Sequence, residues 1–431
     1  MCTISSLLFK LPSKILINIL SRLPIPTILS CKCVCKPLLN LLSTPEFAAS
    51  HLPLSTPGLL IRQFEYDTES CKIFQLEDES NELQHHNLHY NLVMEFDLRK
   101  SLGLSDYSLW SVGSVNGLVC LKSYGTEPYD AIYICNPITR QYIALPGIEN
   151  DFVESPVFYE YGFGQSKISG QYKVVRNVHR HNDLPEERCS DIQNYECLVY
   201  TIGTRSWRSV ETGPPFGHYH LSYSLFLNGN LHGFSQDYCG NTDMLISCFD
   251  LEAESFRPFP PPPPSRELRA LGTLGILEEC LCFLDNSSEF DGIIVIWVMK
   301  EYGVEESWTK QFVISNSEGL VGSYYDKVYP IKAFKDGDIL LSWMNYNLFY
   351  FRNKTKTCQK LDLLIQDYLG SIDAIPHCSS FLSLKSFAGE NVLLFSPAKL
   401  PVWPLKRPRS INHTRAGPNK FWANKVGIGR K

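Results

Sequence analysis

The sequence predicts a small all-α segment followed by a large all-β domain, the latter a β-propeller of about six blades. Three observations carry this prediction. Apolar residues recur at helical spacing within residues 11–47. From residue 58 the texture changes to short β-type runs punctuated by Gly, Asn, Asp and Pro. Within that region a strand–turn–aromatic unit returns with a nearly constant period. A large β-sandwich satisfies the same turn spacing and stands as the alternative fold.

Residues 11–47 read LPSKILINILSRLPIPTILSCKCVCKPLLNLLSTPEF. Ile15, Leu16, Ile19, Leu20 and Leu23 form one apolar stripe, with Ser13 positioned to cap the helix and Pro24 and Pro26 to end it. Thr27 is placed to cap a second helix containing Ile28, Leu29 and Val34. Pro37 falls in the first turn of a third, where its missing N–H costs little, and Leu38, Leu41 and Leu42 supply that helix's apolar side. Nineteen of the 37 residues are apolar and five are charged. A unit below about 40 residues is too small to bury such a surface alone. The excess needs either the following domain or a partner groove.

The periodic unit appears as IYICNPITRQY ending at Tyr142, LVYTIGTRSW ending at Trp207 and SCFDLEAESF ending at Phe256. Looser copies end at Trp308 and Cys358, so successive end points lie 65, 49, 52 and 50 residues apart. Apolar runs precede them, namely GLVCL from Gly117, NLHGF from Asn230, CLCFL from Cys280 and DILLSW from Asp338. A period near 50 residues built from several strands is the mark of propeller blades of the kelch kind. One blade cannot bury both of its faces, whereas a ring of blades buries them all. Residues 59–83 read as a degenerate copy, and FLSLKSF from Phe381 as the segment that closes the ring.

Composition limits the function. Hydrophobic residues at 44% and charged residues at 20% exclude wholesale disorder. A net charge of −5 argues against a nucleic-acid binder. Charge is uneven: residues 65–82 hold seven acids against one Lys, and residues 401–431 hold eight Lys or Arg and no acid. These read as a solvated loop and a disordered tail. The opening MCTISSLLFKLP lacks the pattern of a secretory signal, and no segment reaches the ~18 apolar residues of a membrane span. The fifteen cysteines are therefore expected as reduced thiols, in a protein of the cytoplasm and/or nucleus.

No catalytic motif emerges. His85, His86 and His89 lack the spacing of a standard ligand set, and Cys31, Cys33 and Cys35 splay around a helix rather than converge. YGFGQSKISG lacks the phosphate-loop spacing, so its glycines are assigned to a hairpin turn. Pro260 to Pro264 reads as a stiff connection and KRPR at Lys406 to Arg409 as a weak nuclear address. No metal site and no cofactor are expected.

The N-terminal stretch resembles the F-box, through its LP start, the helix ILINILSRLP, the C-V-C-K segment and the closing S-x-P-E-F. The resemblance implies docking on a Skp-type adaptor, and through it on a cullin ligase scaffold, by Leu11, Pro12, Ile15, Leu16, Leu20, Leu23, Val34, Cys35 and Leu38. Leu38 stands where plant members usually carry Trp, a change expected to weaken adaptor binding. GSVNGLVCL, ICNPITRQYIALP, YGFGQSKISGQYKVVR, FLNGNLHGF and FKDGDILLSW resemble, in order, the plant F-box-associated domain. The organisation expected is an F-box at 1–50 and a connection with the degenerate repeat at 51–110. The β domain follows at 111–400 and the basic tail at 401–431. The implied function is that of a non-enzymatic substrate receptor of a ubiquitin ligase, holding an unidentified target protein. A kelch-type propeller enzyme such as a copper oxidase, and a propeller adaptor working outside any ligase, are the competing classes.

Overall fold

The computed structural model describes residues 11–64, 69–77, 88, 90–104, 108–124, 131–148, 157–180, 195–210, 225–236, 244–263, 272–288, 293–315, 327–343, 347–361 and 372–396. The histidines at 85, 86 and 89, the basic KRPR run, the tail from 401, and all of the acidic Glu77–Glu82 run except Glu77 lie outside these residues.

Four short helices open the described chain: α1 (Ser13–Leu20), α2 (Ile25–Lys32), α3 (Lys36–Leu41) and α4 (Pro45–His51). Proline punctuates them more often than expected. Pro12 and Pro24, rather than Ser13 and Thr27, occupy the N-cap positions of α1 and α2, so Pro24 starts the second helix as well as ending the first. Pro37 lies in the first turn of α3, where it offers no orphan donor. The sequence reading missed α4. Its signal was Thr44-Pro45, in which the Thr44 hydroxyl accepts from the Phe47 N–H at 3.2 Å.

Six antiparallel sheets follow, and they are the blades of a propeller. Blade 1 joins β1 (Gly58–Phe64), β2 (Glu69–Leu76) and β3 (Tyr90–Asp97) to β24 (Ile372–His377). A short helix, α5 (Leu98–Leu102), leads on to blade 2. That blade holds β4 (Ser108–Val115), β5 (Leu118–Tyr124), β6 (Ile132–Asn136) and β7 (Gln141–Ala144), with β25 (Leu393–Leu394) added at its outer edge. Blade 3 is β8 (Val157–Gln165), β9 (Tyr172–Arg180), β10 (Tyr195–Thr201) and β11 (Trp207–Val210). Blade 4 is β12 (Leu225–Leu227), β13 (Asn230–Gln236), β14 (Met244–Asp250) and β15 (Ser255–Phe259). Blade 5 is β16 (Thr273–Leu277), β17 (Cys280–Ser288), β18 (Ile293–Met299) and β19 (Trp308–Ser315). Blade 6 is β20 (Val328–Ala333), β21 (Ile339–Trp343), β22 (Asn347–Arg352) and β23 (Thr357–Leu361). The leading strands β24, β4, β8, β12, β16 and β20 touch in succession and β20 touches β24, so the ring is closed.

The repeat read from sequence falls on one structural position. Tyr142, Trp207, Phe256, Trp308 and Cys358 all lie on the fourth strand of their blades, and the GLVCL, NLHGF, CLCFL and DILLSW runs all fall on second strands. Asn116-Gly117 and Asn228-Gly229 turn the first strand into the second with both residues at positive φ, as the tightest hairpin turn requires.

Packing explains why these strands read as continuous apolar runs rather than alternating ones. Each blade is sandwiched between two others, so both of its faces are buried. Leu118 and Cys120 face blade 3 while Val119 and Leu121 face blade 1. Likewise Leu281 and Phe283 face blade 4, and Cys282 and Leu284 face blade 6. Glycine permits the closest approaches: a Cβ on Gly164 would lie 2.4 Å from Phe226 and 2.5 Å from Leu251 of the next blade.

Two expectations are corrected here. FLSLKSF does not close the ring; β24 does, by pairing antiparallel with β1 from Gly58↔His377 to Gln63↔Ile372. Nor is the stretch at 59–83 a degenerate copy or part of a mere connection, because β1 and β2 are the second and third strands of a full blade whose first strand arrives from the far end of the chain. The β domain thus begins at Gly58 rather than 111.

A buried ionic cluster sits on this seam. The fully buried Arg62 guanidinium on β1 donates to Asp373 of β24 at 2.8 and 3.2 Å and to the Leu109 carbonyl of β4 at 2.6 Å, and it pairs with Glu69 at 3.0 Å. Asp373 also accepts from the Ser111 N–H, and Arg99 approaches Glu69 at 3.4 Å. Burial alone would lower the Arg62 pKa; Asp373 and then Glu69 more than offset it, so the group stays charged. Arg62→Met leaves the buried Asp373 carboxylate without its cationic partner and Glu69 with Arg99 alone, and equilibrium urea unfolding is expected to show a loss of about 3–5 kcal/mol. A loss under about 1 kcal/mol would mean that the cluster does not hold the seam.

His377 on β24 and His232 on β13 are both buried, and burial pushes each down to about 4. The unfolded chain, with histidines near pKa ~6.5, therefore binds more protons between about pH 4 and 6.5. Stability falls as pH drops through that window, by roughly 2 kcal/mol per histidine at about pH 5. Urea midpoints measured from about pH 7 to 5 are expected to decline in the native chain and less steeply in His377→Gln. Parallel declines would contradict the assignment.

Candidate interaction surfaces

On α1, side chains one residue apart diverge by about 100°, which splits the single stripe of the sequence reading into two. Leu11, Ile15 and Ile19, four residues apart, are exposed, the two isoleucines at 47% and 49%. Leu16 and Leu20 are buried. On α3 the same division exposes Leu39 and buries Leu38 and Leu42. Val34, at the turn between α2 and α3, is 70% exposed, and Pro12 beside Leu11 is also exposed. Leu23 and Cys35 are half-buried.

The nine expected contact residues are therefore not one surface. Leu11, Pro12, Ile15 and Val34 face outward, joined by Ile19 and Leu39, which the sequence reading had not assigned. Leu16, Leu20 and Leu38, expected on the docking face, are instead turned inward in the chain by itself. Leu20 and Leu38, with Ile28, Leu42 and Phe47, belong to a core shared with Leu60, Ile73, Val119 and Phe381 of the β domain. The helices thus pack on the propeller through one side and still leave apolar side chains bare on the other. Four basic residues (Lys14, Arg22, Lys32, Lys36) and one acid (Glu46) accompany these helices, so the unit carries a charge of +3 within a chain of −5.

A strap of residues 378–396 fastens the helices to the ring. It leaves the end of β24, where Ser379 accepts from the Ser55 hydroxyl at 2.7 Å and Phe381 packs edge-on against Phe47 and His51. Lys32 Nζ lies 4.9 Å from the Phe381 ring centre. The strap then crosses the strand-one-to-two and strand-three-to-four turns of blades 2 and 3. Ser380 donates to the Asn116 carbonyl at 2.6 Å, Asn136 donates to the Ser380 and Leu382 carbonyls, and Glu390 accepts from the Tyr200 hydroxyl and the Gly203 N–H. Gly117 is required beneath it, since a Cβ there would lie 2.7 Å from the Ser380 nitrogen. Phe387 packs on Tyr172, and β25 finally pairs with β7.

Helices and strap thus occupy the face that carries the strand-one-to-two and strand-three-to-four turns. The opposite face carries the ends at which strand two leaves for strand three and each blade for the next; most of the segments between those ends lie outside the described residues. Among the described residues no group of three or more His, Cys, Asp or Glu side chains is placed to hold a metal ion, and the cysteines are free thiols. No described helix is long and apolar enough to cross a membrane.

The geometry agrees with the family comparisons. Residues 8–49 match the model of the F-box domain, and residues 65–373 match that of the F-box associated beta propeller domain. Among curated proteins of Arabidopsis thaliana, the chain is 27% identical to F-box protein CPR1, covering 81% of this chain and 84% of that one. It is 28% identical to F-box protein At3g07870, covering 70% and 72%, and 26% identical to F-box/kelch-repeat protein At3g23880, covering 79% and 90%. An N-terminal helical unit fused to a closed six-bladed ring, with both parts matched over their length, places the chain in the family of F-box proteins that carry an F-box associated β-propeller.

Proposed function

We propose that this protein is the substrate-recognition subunit of a Skp–cullin–F-box ubiquitin ligase, acting in the cytoplasm and/or nucleus. The observation that carries this reading is the bare apolar row of Leu11, Ile15 and Ile19, with Val34 and Leu39, on helices whose other side is already committed to the propeller. Apolar side chains with no place in the chain's own core fit a partner groove. The excess of basic residues around them fits an adaptor with an acidic rim, which favours fast encounter.

The propeller holds the target without altering it, on the face opposite the helices. Strap and helices already pack on the near face at blades 1 to 3, which leaves the opposite face, the usual place of binding loops on a propeller, for the target. Adaptor and target then engage opposite ends of one molecule, and other subunits transfer the ubiquitin.

The docking face is tested by substitution rather than by removing residues 1–50, because deleting the helices would uncover the core that they share with blades 1 and 2. Ile15→Asp with Ile19→Asp changes exposed positions, so the chain should fold normally and lose capture of a purified Skp adaptor by at least ten-fold. Undiminished capture would reject the assignment. Leu38→Trp, in contrast, overfills a buried site, and is expected to lower stability by about 1–3 kcal/mol without tightening adaptor binding. Tighter binding with unchanged stability would return Leu38 to the contact surface.

A further inference from the structure

The axis of the ring is not filled. A cavity of about 160 Å³ is lined by all six leading strands and by Ser342 of the adjoining β21. This is close to the engineered cavity, on the order of 150 Å³, that takes up benzene. Its walls are divided by chemistry. Blades 3 to 5 contribute Phe163, Leu225, Phe226, Leu274 and Ile276, with no polar side chain among the lining residues. Every polar lining side chain (Ser111, Ser114, Tyr329, Ser342 and Asp373) comes from blades 6, 1 and 2.

Two further features mark the polar wall. Ser111 is only 5% exposed, yet its hydroxyl has no hydrogen-bond partner among the described residues, which is costly unless something in the cavity supplies one. Both the β4 and the β20 ladders slip register at this level, between Ser111 and Gly113 and between Pro330 and Lys332. Bulges of this kind re-aim side chains next to binding sites.

We infer that the central cavity is a binding site for a small neutral ring compound carrying one hydroxyl or amide, its ring against Phe163 and Phe226 and its polar group hydrogen-bonded to Ser111. Size limits the ligand to a single ring. Charge excludes an anion, because Asp373 is the one charged lining residue and the Arg62, Arg99, Glu69 and Asp373 cluster behind it is already neutral. A ligand here touches strands from all six blades, so it binds only the closed ring and stabilises it by mass action. The site is separate from the adaptor-docking helices and does not depend on the proposed ligase role.

Fluorine NMR of the full chain with para-fluorophenol, fluorobenzene and para-fluorobenzoate tests the site. The fluorophenol resonance is expected to broaden and shift on adding protein, fluorobenzene to bind several-fold more weakly, and fluorobenzoate to remain sharp. Ser111→Ala should bring fluorophenol down to the affinity of fluorobenzene. Gly113→Val should abolish binding of both, because a Cβ at Gly113 meets only Phe163, at 3.8 and 3.9 Å, and so fills the cavity without a clash. Thermal melting checks that each variant is folded. If Gly113→Val does not fold, the Ser111→Ala result decides alone. Absence of fluorophenol binding, equal binding of fluorobenzoate, or an affinity unchanged by Ser111→Ala would overturn the proposal.

Discussion

Everything in this molecule depends on one non-covalent seam, the pairing of β1 with β24. A blade exposed on one flank leaves a row of Leu, Ile and Phe side chains in water, so no subset of blades is self-sufficient and the ring must close. The chain achieves this by assembling blade 1 from both of its ends. Arg62 and Asp373 then place a salt bridge across the join, with the Leu109 carbonyl and the Ser111 N–H of blade 2 tied into the same cluster. The cluster is specific as well as strong, because a one-residue slip of β24 would move Asp373 to the other face of the sheet and leave the buried Arg62 with Glu69 as its sole remaining acidic partner in the cluster.

The seam also organises the interaction surfaces. The F-box helices enter the ring at Gly58 and the strap leaves it at His377, and these two residues are partners in the β1–β24 register. Helices and strap therefore emerge side by side and pack on each other through Phe47, His51 and Phe381. The F-box is consequently no loosely tethered appendage. Its inner side belongs to the same core as blades 1 and 2, which fixes the direction of its bare outer side relative to the far face of the propeller. In the proposed role of a ligase receptor, such a junction would limit the reach and orientation of a bound target.

Much of this was legible in the sequence, and the parts that were not have physical reasons. The blade period was readable because the turn from third to fourth strand is chemically marked: Asn136 and Asp250 cap their turns, while Arg140 and Glu254 adopt positive φ. Continuous apolar runs such as CLCFL announced strands buried on both faces. Blade 1 looked degenerate because its first strand is more than 300 residues away in sequence, where no local pattern can show it. The F-box was recognisable as a whole, but the division of its apolar residues was not. Ile15 and Leu16, or Leu38 and Leu39, are equivalent in composition, and only the position of the propeller decides which member of each pair is covered. The unpartnered Ser111 hydroxyl was equally silent, since an isolated serine in a strand carries no signal of what it faces.

The central claim, that ring closure at β1–β24 is as strong as the rest of the propeller, is most directly tested by native-state amide hydrogen exchange on the full chain. Residues of β1 and β24 are expected to exchange only through global unfolding, with the same protection and the same urea dependence as β17 in blade 5. Release of β1 and β24 at a much lower free energy, with β17 still protected, would show that the ring stays intact without its seam and would contradict the account.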